Sequence, residues 1–514
     1  MYSKTIERML LVAPWGKDQI TDDYVHPSLG IYRIKFALSE MGVNCSIFDP
    51  NLAEDPHQQL RSLIGASKFD MVGFSSNHYT LPHDLSLMHL VYNLKKDMFL
   101  VGGGVECTTN YETVLQYAPP GFIIVRGEGE ITLQEFCKQP VKEKVPGLIW
   151  MENGNICFSP SRPNLSKDEF IHFTRIMDWK KVPFEDYWRF LGSIDYDTNE
   201  DPKLAEKNIK TARLVLSNHC PRNCNFCSST NFLRIASGEN PKVHKILSEE
   251  ALDVVIDICN AHSELKTIFF HDDDFLANKR WTKSFCELAI GAKESGKLPN
   301  DICFIAQGSV RNVPYLSPYL ADLGFKLVGL GVESFSMDVL REFNKVQSES
   351  EINKAITSLL DVDVIPYLNL ILSSPDSTVD DLRLTVNESI KYLKMGASIA
   401  TSLYTLAFPG AKIISETQKE GLITYQSHNI EGTPHCIQLS DKILPRDPTL
   451  REVLRRTEIR IPEILKTFFP QKKRFRSVLG PATLYAILDV IKEMELQEVD
   501  DNLKETEGIL CSMD

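Results

Sequence analysis

An α/β fold of two units, a doubly wound parallel sheet followed by a partial barrel of six strand–helix repeats, is predicted by three features of the sequence. Short apolar runs alternate with helix-spaced segments through the first part of the chain, and the same alternation restarts at Thr211. At 514 residues, two or three units can each bury a core of their own. After Gly421 strand signals fade, and a mainly helical C-terminal extension is expected. The boundaries read as 1–145, a hairpin and connector over 146–210, the barrel over 211–421, and the extension over 422–514.

In the front unit, strands are expected at 9–14, 46–49, 71–75, 99–102 and 122–125, with helices at 30–41 and 85–94 between them. This is a Rossmann-like arrangement, whose ligand belongs at the carboxyl ends of the strands. Those ends carry small or polar residues: Ser75-Ser76-Asn77-His78, Gly102-Gly103-Gly104, and Arg126-Gly127-Glu128-Gly129-Glu130. Pro146-Gly147 and Asn153-Gly154 mark the hairpin that precedes the irregular connector. Barrel strands are expected at 213–217, 267–271, 302–306, 326–331, 367–372 and 399–406, and helices at 249–259, 279–294 and 350–360. Six repeats give a barrel open on one side, with its chemistry at the carboxyl ends of its strands. The extension is expected to contain helices at 449–469 and 477–495.

Hydrophobic residues at 43% and charged residues at 24% are ordinary globular values, which argue against disorder and against a fibrous class. A net charge of -13 repels phosphate backbones, so a nucleic-acid partner is not expected. No apolar run is long enough to span a membrane, and the N-terminus carries charges without a signal-peptide core, which together suggest a cytoplasmic protein. One basic run, Lys472-Lys473-Arg474-Phe475-Arg476, precedes an amphipathic helix and is of the kind that docks peripherally on anionic membranes. An exposed loop without a role is the commoner meaning of such a run.

Nine of the twelve cysteines are isolated, as expected of small buried hydrophobes in a reducing compartment. The other three, Cys220, Cys224 and Cys227, stand within eight residues directly after the first barrel strand. Three thiolates at this spacing can hold three corners of a cubane iron–sulfur cluster and leave the fourth iron open. Structural zinc takes its ligands as two separated pairs, and although His219 adjoins the run, no second pair follows it.

The Cys-x3-Cys-x2-Cys run, placed after the first strand of a six-unit barrel, resembles the radical S-adenosylmethionine (SAM) superfamily. The resemblance implies a [4Fe-4S] cluster whose open iron is chelated by SAM, and reductive cleavage of SAM to methionine and a 5'-deoxyadenosyl radical. An external one-electron donor such as flavodoxin or ferredoxin is implied with it. Gly329-Leu330-Gly331-Val332-Glu333-Ser334 is similar to the family's fourth-strand motif, which places Glu333 and Ser334 near SAM together with Phe226 of the cysteine loop. Ser373-Ser374-Pro375-Asp376-Ser377-Thr378 looks like the fifth-strand segment with serine and aspartate in place of the usual glycines. Arg311, after the third strand, is a candidate for gripping the SAM carboxylate, because a guanidinium offers it two parallel hydrogen bonds.

His26-Pro27-Ser28-Leu29-Gly30 and the three strand-end segments resemble, as a set, the cobalamin-binding domain of cobalamin-dependent radical SAM enzymes. This implies that Ser75, Ser76, Asn77, His78, Gly103, Gly104, Gly127 and Glu128 face cobalamin. Asp-x-His-x-x-Gly is missing, so base-off cobalamin without a histidine ligand is expected unless Asn77, His78 or Tyr79 reaches the cobalt. On the substrate side, strand alternation sends Asp272 and Asp274 to one face, and Tyr404 closes the sixth strand; all three are candidate catalytic residues. The implied activity is methylation of an unactivated carbon or of phosphorus through methylcobalamin. Ring formation or rearrangement without methyl transfer is the alternative within enzymes, and a non-catalytic cobalamin or cluster sensor the alternative outside them. The substrate, small molecule or peptide, is not legible.

Overall fold

The computed structural model describes residues 5–17, 25–193, 209–470, 476–494 and 500–513. Five parallel strands form the front sheet: β1 (Arg8–Val12), β2 (Asn44–Phe48), β3 (Met71–Ser75), β4 (Phe99–Gly103) and β5 (Ile123–Val125), in the order β2-β1-β3-β4-β5. β1 and β3 read as unbroken apolar runs because helices cover both faces of the sheet. The strand order reverses between β1 and β3, which opens a crevice at their carboxyl ends.

The hairpin does not stand apart from this sheet. β6 (Leu148–Glu152) pairs antiparallel with β5 and β7 (Asn155–Phe158) with β6, so the hairpin extends the sheet to seven strands. Asn153 and Gly154 both take positive φ, 50° and 77°, as a two-residue hairpin turn requires of its central residues.

The barrel strands β8 (Thr211–Leu214), β9 (Thr267–Phe270), β10 (Cys303–Gly308), β11 (Phe325–Glu333), β12 (Ile365–Ile371) and β13 (Ser398–Ser402) are parallel and adjacent in chain order. In β12, Leu368 and Leu370 enter the core under the outer helices, whereas Tyr367, Asn369 and Ile371 lie on the opposite face, only half-buried. The run expected as one sixth strand divides in two. β13 ends at Ser402, and β14 (Thr405–Leu406) instead pairs antiparallel with β16 (Cys436–Ile443).

C-terminal to Gly421 the chain is mainly helical, with helices Pro448–Phe468, Arg476–Glu493 and Asp500–Ser512. It also forms strands where their signals fade in the sequence: β15 (Ile423–Asn429) and β16 make an antiparallel ribbon. Ile430, Ile437 and Leu439 of this ribbon are buried in the core of the front unit. Residues 472–475 of the basic run lie outside the described residues. No helix among the described residues is long and apolar enough to cross a membrane.

Helix Arg476–Glu493 packs on β13 through Gly480, where a β-carbon would come within 2.1 Å of the Ile399 carbonyl oxygen. Alanine in a helix interior ordinarily stabilises by about 0.5–1 kcal/mol relative to glycine. Here the contact reverses the sign: Gly480→Ala is expected to destabilise by about 1–3 kcal/mol, as overpacking does, and to lower the midpoint of thermal or urea unfolding.

Candidate functional site

The loop leaving β8 is anchored before any cofactor is considered. The Asn225 backbone N–H donates to the Phe343 carbonyl at 3.0 Å, its side-chain amide to the Glu342 carbonyl at 2.8 Å, and the Asn344 amide to the Asn223 carbonyl at 2.7 Å. Phe226 packs edge-to-face on Phe343, ring centroids 4.9 Å apart. Within this frame Cys220 and Cys224 are buried and Cys227 is partly open. Burial pushes the Cys220 thiol up to about 12, and it raises the Cys224 thiol as well, against the lowering field of Lys345. Cys227 is in electrostatic reach of both other thiols. The Arg222 N–H donates to Cys220 Sγ at 3.4 Å, the kind of contact that stabilises a cluster thiolate. This donor set fits a cluster bound through three irons.

Around the mouth, Asp272 and Asp274 are both buried beyond the end of β9, where each stitches strand ends together. Asp272 accepts from the Leu216 N–H at 3.1 Å and from the Ser217 hydroxyl. Asp274 accepts from the Ser309 N–H and from Arg222 Nε, each at 3.2 Å. The residue between them, Asp273, takes the opposite, accessible side, where it meets Ser229 and lies in electrostatic reach of Cys220. Tyr404 is committed elsewhere. Its hydroxyl donates to Glu458 at 3.3 Å, and its ring carries Lys442 Nζ at 4.2 Å. The cavity of about 330 Å³ that it lines lies between β13, the ribbon and the C-terminal helices, and no residue of the cysteine loop borders it.

Glu333 occupies the left-handed region, φ 65°, at a bulge of β11, and its Oε1 is 2.7 Å from Lys345 Nζ. Gly331 makes room for this pair, since a β-carbon there would lie 2.6 Å from Nζ and 2.8 Å from Oε1. Burial pulls the Lys345 ammonium down, but Glu333 and the Cys224 thiol outweigh it and the net shift is upward, so Lys345 is a buried cation beside the thiol loop. No motif in the sequence marks it. The structure does not bring Arg311 to this position: its side chain is 57% exposed and faces Glu351 at 3.8 Å. Ser334 turns away as well, its hydroxyl 2.9 Å from that of Thr385. The segment 373–378 is fixed by Ser374 and the Asp376 N–H against Glu342, and by the Arg446 N–H, which donates to the Pro375 carbonyl at 2.7 Å.

In the front unit, a cavity of about 220 Å³ follows the sheet face beneath helices Leu29–Ser39 and Glu130–Lys138 and opens at the strand ends. Ser75, Gly103, Gly104, Gly127 and Glu128 all line it, with Gly30 and Gly73. A β-carbon at Gly104, φ 94°, would lie 3.2 Å from Ser75 Oγ and from the Ser76 carbonyl. This is a cradle that side chains would fill, and it fits a ligand approached closely by backbone. Glu128 accepts from the Leu165 N–H at 2.8 Å, and burial, reinforced by Glu130, pushes its carboxyl up to about 7. Ser76, Asn77 and His78 do not line the cavity. His78 Nε2 donates to the Ser440 carbonyl at 2.6 Å and Nδ1 faces Glu106 at 3.1 Å, so both ring nitrogens are engaged. Burial lowers the pKa of the His78 imidazole, yet Glu106 and the Ser440 carbonyl leave it raised overall.

Comparison with known proteins agrees with this geometry. Residues 20–137 match the B12 binding domain family and residues 214–388 the radical SAM superfamily. The chain is 24% identical over 370 residues to an uncharacterized methyltransferase of Pyrococcus horikoshii, covering 70% of this chain and 72% of that one. It is 24% identical over 294 residues to the anaerobic magnesium-protoporphyrin IX monomethyl ester cyclase of Cereibacter sphaeroides, covering 55% of this chain but only 43% of the cyclase. In three dimensions it is similar to the radical SAM methyltransferase TsrM of Kitasatospora setae, solved with cobalamin and a [4Fe-4S] cluster bound. That match has a TM-score of 0.66 at 13% identity and covers 86% of each chain, a likeness of fold. One chain thus carries a B12-binding domain ahead of a radical SAM superfamily domain, the arrangement expected of a cobalamin-dependent radical SAM enzyme.

Proposed function

We propose that this enzyme transfers a methyl group from SAM to an unactivated carbon, or less commonly to phosphorus, of a small-molecule or peptide substrate. The observation that carries the reading is how the two candidate sites are joined. Helix Ser229–Ser237 begins beside the cysteine loop and ends at the front cavity, where Phe232 is part of the lining and Ala236 lies against Gly127. Nine residues of helix span roughly 13 Å, so the two sites are close neighbours.

When bound, SAM supplies a methyl group and a radical at the cluster, and cobalamin serves as the methyl carrier. The residues have distinct duties. Cys220, Cys224 and Cys227 hold the cluster, Phe226 walls it, and Lys345 offers a cation to the SAM carboxylate in place of Arg311, with Glu333 accepting hydrogen bonds beside it. Gly103, Gly104 and Gly127 let backbone approach cobalamin. Glu128, with its raised pKa, retains a proton into the neutral range and can donate as well as accept. Because both nitrogens of His78 are already engaged, His78 would not be available as a ligand to cobalamin, which supports the base-off reading. Asp273 takes over the mouth-facing carboxylate role expected of Asp272 and Asp274. A one-electron donor such as flavodoxin or ferredoxin completes the system.

The similarity to a cyclase favours a second reading, ring formation without methyl transfer, and the products of SAM separate the two. Methyl transfer is expected to release S-adenosylhomocysteine and 5'-deoxyadenosine in equal amounts per turnover and to place a labelled SAM methyl in the product. A substrate deuterated at the reacting carbon is expected to pass deuterium to 5'-deoxyadenosine, since abstraction needs close contact. Formation of 5'-deoxyadenosine without S-adenosylhomocysteine or label transfer assigns the chain to the cyclase reading.

A further inference from the structure

The cysteine loop contains one side chain that reaches out of it to two other strand ends. Arg222, two residues after Cys220, places Nε 3.2 Å from Asp274 Oδ2 and Nη2 on the Ser309 hydroxyl. The Ser309 N–H donates in turn to Asp274 Oδ1, and the neighbouring Phe275 N–H donates to the Gln307 carbonyl. One guanidinium thus ties the loop after β8 to the ends of β9 and β10. The clamp is built on a buried anion, for the Asp274 side chain is 2% exposed. It also depends on a missing side chain: a β-carbon at Gly308 would lie 2.6 Å from Asp274 Oδ1 and 3.1 Å from Leu276. The same arginine donates its backbone N–H to Cys220 Sγ, and its charge lowers the Cys224 thiol.

We propose that Arg222, held by Asp274 and Ser309, is the positioning residue that fixes the cysteine loop in its cluster-binding conformation and supplies it with a fixed positive charge. The inference rests on the cluster assignment above. Partners in the outer shell of a metal site orient its ligands, and their loss typically costs about 10–100-fold in metal affinity. A fork is needed for the clamp, because two acceptors on different strands must be bonded at once; lysine keeps the charge but cannot span both. The fixed charge acts separately. A cluster held by three thiolates gains negative charge on one-electron reduction, so a nearby cation makes that step easier.

The test uses full-length protein reconstituted anaerobically with iron and sulfide. In Arg222→Ala, iron is expected to pass to a chelator at least about tenfold faster than in wild type. The cluster's reduction potential is expected to fall as well, a change that a merely structural substitution would not produce in step with the charge. Arg222→Lys is expected to restore the potential but not the retention, and Gly308→Ala, which pushes on Asp274 without touching the loop, to speed iron release while Arg222 remains. If Arg222→Ala is recovered unfolded, Ser309→Ala removes one arm of the clamp and takes its place. Unchanged iron release and potential in the arginine and serine variants, beside a wild type that holds a cluster, overturn the clamp and leave the functional reading intact. Full retention in Arg222→Lys overturns the fork. A wild type that binds no cluster overturns the functional reading, and the clamp falls with it.

Discussion

Replacing Cys224 by alanine is expected to abolish cluster binding and, with it, every product of SAM cleavage. Wild-type protein reconstituted anaerobically should hold about four irons and four sulfides per chain. With Cys224 gone, two thiols on one loop remain, and no further cysteine stands in the motif to replace the third. The loop itself should survive, because its anchors run through Asn223, Asn225 and Asn344 rather than through the sulfur. Loading should also depend on pH. Burial raises the Cys220 and Cys224 thiols, so binding must displace protons and is favoured as pH rises. Iron and sulfide analysis with absorption spectra at two pH values checks both points. Stoichiometric zinc without iron charge-transfer bands in the wild type rejects the cluster.

Gly127→Val is expected to remove cobalamin binding while sparing the cluster. Gly127 has φ 73°, lines the front cavity, and would bring a β-carbon to 2.6 Å from Ala236. The left-handed conformation costs an L-residue about 1–2 kcal/mol, and a β-branched one more, so the segment relaxes out of its place in the wall. Restoring that place on binding weakens cobalamin by at least about tenfold before the overlap with Ala236 is counted. Retention of cobalamin after gel filtration, measured beside iron content, checks the outcome. Equal cobalamin in mutant and wild type would show that this wall does not contact the ligand.

Much of this architecture is legible in sequence because the parallel strands are buried on both faces and so appear as continuous apolar runs, as in β1 and β3. The cysteine loop is legible because its three cysteines are local in sequence. What escapes is set by contacts distant in sequence. β16 carries Gln438, Ser440 and Lys442 between its apolar residues, and Ile437 and Leu439 find their partners in the front unit. Lys345 lies twelve residues beyond Glu333 in a polar stretch, and only the room above Gly331 reveals that the two meet. Alternation groups Asp272 with Asp274, but it cannot tell an open face from one already occupied by the Leu216 and Ser309 N–H groups.

The packing of Ile430, Ile437 and Leu439 into the front unit sets a timetable for synthesis. The sheet that needs them is complete in sequence at Phe158, yet roughly 280 residues must be added before β16 has been made. At about 5–20 residues per second, the nascent front unit waits on the order of 15–60 s with an apolar face uncovered. Over that interval it is a client for chaperones, and a ribosome stalled inside the barrel leaves behind an unfinished, aggregation-prone sheet.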